Sequence, residues 1–207
     1  YNNSGYFLLG VIIEKITGES YEAFLKKNIF DKLGMRDTHY DLPGKLIAGR
    51  VAGYDVGPGG AINTPYISMS RPYAAGSLAS SVDDLAKWDA ALYTGKLLPQ
   101  SALKRAWTPC RLNDGTRKPY GYGWGVIGYA GATCIEHRGG INGFVTHAIR
   151  IPEQRIFAAV LANTTKPALS PNYLGFKLAA MAMGARYDEP TPARVSPRKL
   201  DSYVGRY

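Results

Sequence analysis

Glu136-His137-Arg138-Gly139-Gly140-Ile141-Asn142-Gly143 is the stretch on which the reading of this chain turns. Strand-like runs flank it, Ala132 to His137 before and Phe144 to Ile151 after. A further run, Ile156 to Asn163, follows the tight-turn sequence Pro152-Glu153-Gln154-Arg155. This pattern predicts antiparallel strands, the first of them ended by the paired glycines. Glycine lacks a Cβ, so the backbone there can be approached closely and its N–H groups can point at a ligand. The His137 side chain would face the same space. Upstream, Gly121-Tyr122-Gly123-Trp124-Gly125-Val126 alternates small and large residues, as a twisted strand would. Downstream, residues 172–184 predict a helix packed on the sheet through Leu174, Leu178, Ala179, Met181 and Ala182.

The N-terminal part reads as helical. Ser4 to Thr17 sets Leu8, Leu9, Ile12, Ile13 and Ile16 at helical offsets, and Gly18 closes the run as a C-cap. A second helix carries Tyr21, Phe24, Leu25 and Ile29 on one stripe and stops at Leu33-Gly34. The short joint predicts a helical hairpin. Residues 36–80 have no long period, and they predict an ordered excursion with short strands bordering a pocket. There Tyr54, Tyr66 and Tyr73 suit a cleft wall or plain packing equally. Ser81-Val82-Asp83-Asp84 starts a further helix with Leu85, Trp88 and Leu92 inward and Gly95 at its end, and a shorter helix covers Pro99 to Trp107. The fold class is therefore α+β: an antiparallel sheet flanked by helices, with part of a helical subdomain. After Tyr187 the prolines at 190, 192 and 197 mark a linker, and Leu200 to Tyr207 has the aromatic-glycine texture of a strand beginning. The predicted domains are 1–186 and a linker with an appended β-rich segment at 187–207.

Composition narrows the function classes. The 207 residues are 45% hydrophobic and 20% charged, as in a globular protein. The longest apolar run, Phe7 to Ile13, is far below the ~20 residues of a membrane span. The formal charge is +9, but it is scattered over Lys26-Lys27, Lys104-Arg105, Arg117-Lys118 and Arg198-Lys199. A nucleic-acid binder would gather it on one face, so no nucleic-acid partner is expected. Cys110 and Cys134 lack metal-ligand spacing, which speaks against zinc; Cys134 suits a buried strand position, and a disulfide between them stays open.

Five segments, in order, carry a resemblance. They are Tyr1-Asn2-Asn3-Ser4-Gly5-Tyr6-Phe7-Leu8-Leu9-Gly10, Phe30-Asp31-Lys32-Leu33-Gly34-Met35-Arg36-Asp37-Thr38, Ala75-Gly76-Ser77-Leu78-Ala79-Ser80-Ser81-Val82-Asp83-Asp84-Leu85-Ala86-Lys87-Trp88, Tyr122-Gly123-Trp124-Gly125 and His137-Arg138-Gly139-Gly140. Together they resemble the serine β-lactamase-like family, which includes class C β-lactamases, DD-peptidases, D-aminopeptidases and esterases. The resemblance implies an acyl-enzyme mechanism in which a Ser-x-x-Lys motif supplies nucleophile and Lys one helical turn apart. It implies that Tyr1 exchanges protons with that serine and with the leaving group, and that Asn3 hydrogen-bonds substrate and Lys. It sets His137 where the family often has Lys, and gives the N–H of Gly140 as half of an oxyanion hole. Gly139, Arg138 and Asn142 would contact substrate. Arg138 stands where a Thr or Ser is usual, and could hold a carboxylate bidentately or point to solvent. This departure weighs against true β-lactamase activity.

The two Ser-x-x-Lys matches do not suit the nucleophile. Ser101-Ala102-Leu103-Lys104 follows Tyr1 instead of preceding it, and Ser196-Pro197-Arg198-Lys199 sits in the linker. The expected reading is thus a fragment of a serine hydrolase acting on a small ester, amide, β-lactam or D-amino-acid peptide, inactive alone. Its partners would be a small-molecule or short-peptide substrate and the N-terminal part of the same domain. No cofactor is implied, and export to the periplasm or exterior is expected. The alternative is a non-catalytic relative that binds peptidoglycan-like ligands. His39, His147 and Glu136 read as structural, and Trp88, Trp107 and Trp124 as core or pocket wall.

Overall fold

The computed structural model describes residues 1–187, 189 and 195–205. Helix α1 (Asn3–Thr17) opens with the Asn2 side chain accepting the Ser4 N–H, and closes at Gly18 with φ 70°. Its buried contact is Gly10, where a Cβ would lie 2.5 Å from the Ala74 Cβ and 2.7 Å from the Tyr73 ring. The apolar row predicted for this helix points elsewhere. Leu8, Leu9, Ile12 and Ile16 are exposed, Ile16 at 79%. Close approach at Gly10 fixes which side of the helix packs, and leaves that row without cover.

Helix α2 (Tyr21–Leu25) is capped by Ser20, passes through a wide π turn (Lys26–Phe30) into α3 (Asp31–Leu33), and ends at Gly34 in the left-handed region. One continuous helix was predicted here. The wide turn sets residues five apart on one side, so Leu25, Phe30 and Met35 form a single buried cluster with Trp88 beside it.

Residues 36–80 hold the expected short strands. Strand β1 (His39–Tyr40) pairs with β4 (Leu78–Ala79). Strands β2 (Tyr54–Gly57) and β3 (Gly60–Asn63) form a hairpin, and a 3-10 turn spans Tyr73–Ala75. Then come α4 (Val82–Ala91) and α5 (Gln100–Ala106). The main sheet is an antiparallel meander of β5 (Gly125–Tyr129), β6 (Ala132–Ile141), β7 (Phe144–Ile151) and β8 (Ile156–Ala162). Helix α6 (Pro171–Ala182) packs on one face, where Cys134, Ile149, Ile151 and Ala179 form the core.

Three expectations change. The strand read from Gly121 starts only at Gly125, because Gly123 turns with φ 80° and Gly121 abuts the Ala106 carbonyl oxygen. Strand β6 does not end at the paired glycines but runs through them, since Gly139 and Gly140 pair with Thr146 and Val145. Residues Pro197–Asp201 form a short helix α7, with a turn after it, where a strand was expected to begin at Leu200. Residues 206–207 of the expected strand, and 188 and 190–194 of the linker, lie outside the described residues. Cys110 and Cys134 are both free thiols, Cys134 fully buried. Among the described residues no helix is long and apolar enough to cross a membrane.

Buried charges tie these layers together. Asp84, capped into α4 by Ser81, is wholly buried. Its Oδ2 accepts the Asp37 N–H and the Thr38 hydroxyl, and its Oδ1 accepts Lys87 Nζ. The opposite face of the sheet offers Arg150, paired with Asp89 of α4 at 2.7 Å and lying over the Tyr93 and Trp107 rings at 4.6 and 4.7 Å.

Burial alone would push the Asp84 carboxyl up, but Lys87, the Thr38 hydroxyl and the Asp37 N–H outweigh it and hold it below the ordinary value. A lowered folded value means stabilisation that is present above the unfolded carboxyl at about 3.9 and lost as pH falls through the folded one. Asp84→Ala, which orphans three donors, should cost about 3 kcal/mol or more in urea unfolding at pH 7. The gap between wild type and Asp84→Asn should narrow below about pH 4. A gap constant from pH 7 to pH 3 would contradict this account.

Candidate active site

The N-terminus and strand β6 meet. The Tyr1 ring lies 5.6 Å from the His137 ring, 5.7 Å from Tyr120 and 5.4 Å from Tyr6, the last stacked. The Tyr1 hydroxyl donates to Asn3 Oδ1 at 2.5 Å. With Asn2 spent on capping α1, Asn3 keeps its amide N–H groups for another partner. Tyr1, Asn3 and His137 are thus brought together as the sequence suggested.

His137 is held at both nitrogens. Nδ1 lies 2.7 Å from the Arg138 carbonyl oxygen and Nε2 lies 2.7 Å from the Tyr120 hydroxyl. A carbonyl can only accept, so Nδ1 carries a proton, and in the neutral form of the ring Nε2 then accepts from Tyr120. Burial, and next a hydrogen bond with Tyr6, push the Tyr120 phenol far above its ordinary value. Burial, then the neighbouring Tyr6, also raise Tyr1. Both phenols are therefore neutral proton donors at pH 7, and neither is a base without a cation beside it.

Tyr120 and Tyr6 were missed by sequence reasoning. Tyr120 immediately precedes the small-large alternation, and the motif was read from Tyr122, which instead is exposed. Tyr6 was read only as a helix residue. No local pattern distinguishes either from a packing aromatic.

The remaining residues separate. Gly140 has nothing within 4 Å of a notional Cβ, so a ligand can approach it. Strand β5 stops opposite Glu136, so from His137 to Ile141 one edge of β6 has no sheet partner among the described residues. Gly139 has a packing reason: a Cβ would meet the Thr146 hydroxyl at 2.3 Å. Arg138 pairs across the ladder with His147, which lies against α6, so it stands on the face opposite His137. Its guanidinium is exposed, 3.9 Å from Glu136 Oε2. Asn142 donates its Nδ2 to the Pro65 carbonyl at 3.0 Å and pins the β6–β7 turn to the loop after β3. Neither Arg138 nor Asn142 belongs to the aromatic cluster.

Glu136 and His147 form a largely buried pair at 3.2 Å; the His147 hydrogen bond, against the opposing effect of burial, holds the Glu136 carboxyl below its usual range. Ser101 and Lys104 are exposed on α5, and Ser196 and Lys199 are exposed on α7. None shares a hydrogen bond or ring contact with the cluster among the described residues. Among the described residues no three His, Cys, Asp or Glu side chains gather as a metal site requires.

The Beta-lactamase family model matches residues 1–180. The chain belongs to the beta-lactamase family, whose members are serine hydrolases. It is 30% identical to penicillin-binding protein 4* of Bacillus subtilis (strain 168), over all of this chain and 50% of that protein. Among solved structures it is similar to the octameric penicillin-binding protein homologue from Pyrococcus abyssi, with TM-score 0.77 and 29% identity over 89% of this chain and 42% of that one. It is also similar to the D-amino acid amidase from Ochrobactrum anthropi SV3 complexed with L-phenylalanine amide, with TM-score 0.73 and 25% identity over 89% of this chain and 56% of that one. The chain spans about half the length of these beta-lactamase relatives.

The neutral tautomer is directly measurable. Nitrogen-15 correlation spectra at pH 8 should show the His137 proton on Nδ1, the less common form in water, and Tyr120→Phe should shift the balance toward Nε2–H. A dominant Nε2–H form in the unaltered protein would contradict the assigned hydrogen bonds.

Proposed function

We propose that this chain carries the phenol, amide and imidazole side of a hydrolase that works through an acyl-serine intermediate. The substrates are small esters, amides or D-amino-acid peptides. The observation that supports this best is the meeting of Tyr1 and Asn3 with His137 beside an unpaired strand edge. In this reading the serine and its lysine lie outside these 207 residues, which match 50% of the length of penicillin-binding protein 4*. The uncovered apolar row of α1 (Leu8, Leu9, Ile12, Ile16) suits a helix that packs against that remaining part.

In this reading the serine hydroxyl attacks the substrate carbonyl, and its proton passes to a base held near Tyr1. A lysine ammonium close to the Tyr1 phenol would lower a value that burial and Tyr6 raise here, making the phenol a competent relay. Asn3 orients the relay through the Tyr1 hydroxyl and donates its free amide N–H groups to the substrate. The oxyanion draws on the N–H of Gly140 and the N–H of the serine itself. His137, anchored by Tyr120, shapes the wall that the leaving group crosses. The likeness to a D-amino acid amidase favours an amide over a β-lactam. The alternative, a ligand-binding relative, draws no support from Arg138, which stands on the face away from the cluster.

A fluorophosphonate probe tests this. The complete protein should form a covalent adduct, and the 207 residues alone should not. Tyr1→Phe in the complete protein should slow acylation by roughly a hundredfold to ten-thousandfold. Near-normal acylation of that variant would remove Tyr1 from the mechanism. Absence of an adduct would leave the binding reading in its place. Ester turnover by the 207 residues that Ser101→Ala abolishes would show the nucleophile to be Ser101.

A further inference from the structure

An open cavity of about 470 Å³ adjoins Gly140 at the far end of β6. Its lining is apolar at Ile141, Phe144 and Pro65 and polar at Thr64, Thr165 and Asp55. Asp55 is the single charged residue in this lining, in a chain of net charge +9.

The position of Asp55 is built, not incidental. It lies on β2, and that hairpin is fastened to the main sheet at several points. The Tyr54 N–H donates to the Asn163 carbonyl, the Thr165 N–H donates to the Tyr54 carbonyl, and Asn163 Nδ2 donates to the Ala52 carbonyl. At Gly143, with φ 79°, a Cβ would lie 2.6 Å from the Gly53 Cα, so the hairpin and the β6–β7 turn meet backbone to backbone. Asn142 bonded to Pro65 closes the same seam. The Asp55 carboxylate itself is oriented, because its Oδ1 accepts the Thr165 hydroxyl at 2.6 Å and the Val56 N–H at 2.8 Å. Its Oδ2 takes no hydrogen bond among the described residues. The Thr165 hydroxyl, then the Val56 N–H, hold the carboxyl below its ordinary value, with a smaller contribution from the exposed Lys166.

We propose that this cavity is the subsite for a positively charged amino group on the substrate, with Asp55 as its specificity-determining anchor and the Ile141–Phe144 wall receiving an apolar side chain. The inference rests on the hydrolase reading above and refines it. A substrate carbonyl at Gly140 has its acyl portion beside this cavity, and an oriented carboxylate with one open oxygen selects an ammonium over a neutral acylamide. The favoured class is therefore an amide or peptide with a free terminal amine. Lys166 lies close enough to interact with Asp55, so the cavity discriminates by the free oxygen and not by net charge alone.

The test uses the complete protein and two probes, D-alanine p-nitroanilide and its N-acetyl form. The ratio of their kcat/KM values should favour the free amine, and Asp55→Asn should lower that ratio by roughly ten- to a hundredfold. Asp55→Glu, which keeps the charge, should restore part of it, and Thr165→Val, which frees the carboxylate to rotate, should lower it less than Asp55→Asn. Fluorophosphonate labelling of each variant separates the two levels. Labelling with an unchanged ratio in Asp55→Asn overturns the subsite and leaves the hydrolase. No labelling of the wild type removes the hydrolase. Calorimetric binding of D-alanine amide against its N-acetyl form then decides the cavity: preference for the free amine that Asp55→Asn abolishes supports it, and equal binding overturns it.

Discussion

The pairing of β6 with β7 fixes which face every site residue meets. In the observed register His137 stands opposite Ala148 and Arg138 opposite His147. Side chains alternate along a strand, so a slip by one residue would turn His137 under α6 and put Arg138 toward Tyr1. Two glycines make that slip costly. Gly139 leaves room for the Thr146 hydroxyl, and Gly175 of α6 leaves room for the His147 ring, whose Nδ1 lies 2.2 Å from a notional Cβ there. With the register held, the cluster of Tyr1, Tyr6, Tyr120 and His137 forms on one face and the apolar core on the other.

A buried ion pair lies where the helical layer meets this sheet. Arg150 sits one step along the same face as Ala148, buried, and reaches Asp89 of α4. Burial pushes the Asp89 carboxyl up, and the attraction of Arg150 opposes that. Such a pair contributes little net stability against an apolar substitute of the same shape, but it tolerates few alternative arrangements, and removing one partner is costly. Asp84 acts in the same way between α4 and the segment after α3. These contacts set where the sheet lies relative to the N-terminal helices, and so where Tyr1 lies relative to His137.

Much of this was legible in the residues. The strand limits at Phe144–Ile151, the cap at Ser81, the stop glycines at 18 and 34, and the helix over the sheet all follow from period and turn chemistry. The pairing of Tyr1 with His137 came from the order of short segments, not from any periodicity. What stayed hidden depends on tertiary contact. The inward side of α4 carries Asp84 and Asp89 beside its apolar residues, which no hydrophobic pattern reveals. Arg150 looks like a surface cation until its partners are known. The packed side of α1 is chosen by Gly10 against the Tyr73 turn, which leaves the apolar row at Leu8, Leu9, Ile12 and Ile16 exposed, and helical offsets alone do not say which side packs. Arg138 was tied to substrate through the family position it occupies, with solvent as the other option, and only the strand register shows that it faces away from His137.

The central claim is that the first residue and the sixth strand share one crevice. Proton–proton cross-relaxation between the Tyr1 ring and the His137 Hε1, in protein labelled selectively at those rings, measures this without reference to catalysis. With ring centroids 5.6 Å apart, a clear cross-peak is expected, and it should survive Asp55→Asn. Absence of that cross-peak in folded protein, with the Tyr120 to His137 contact still visible, would contradict the account.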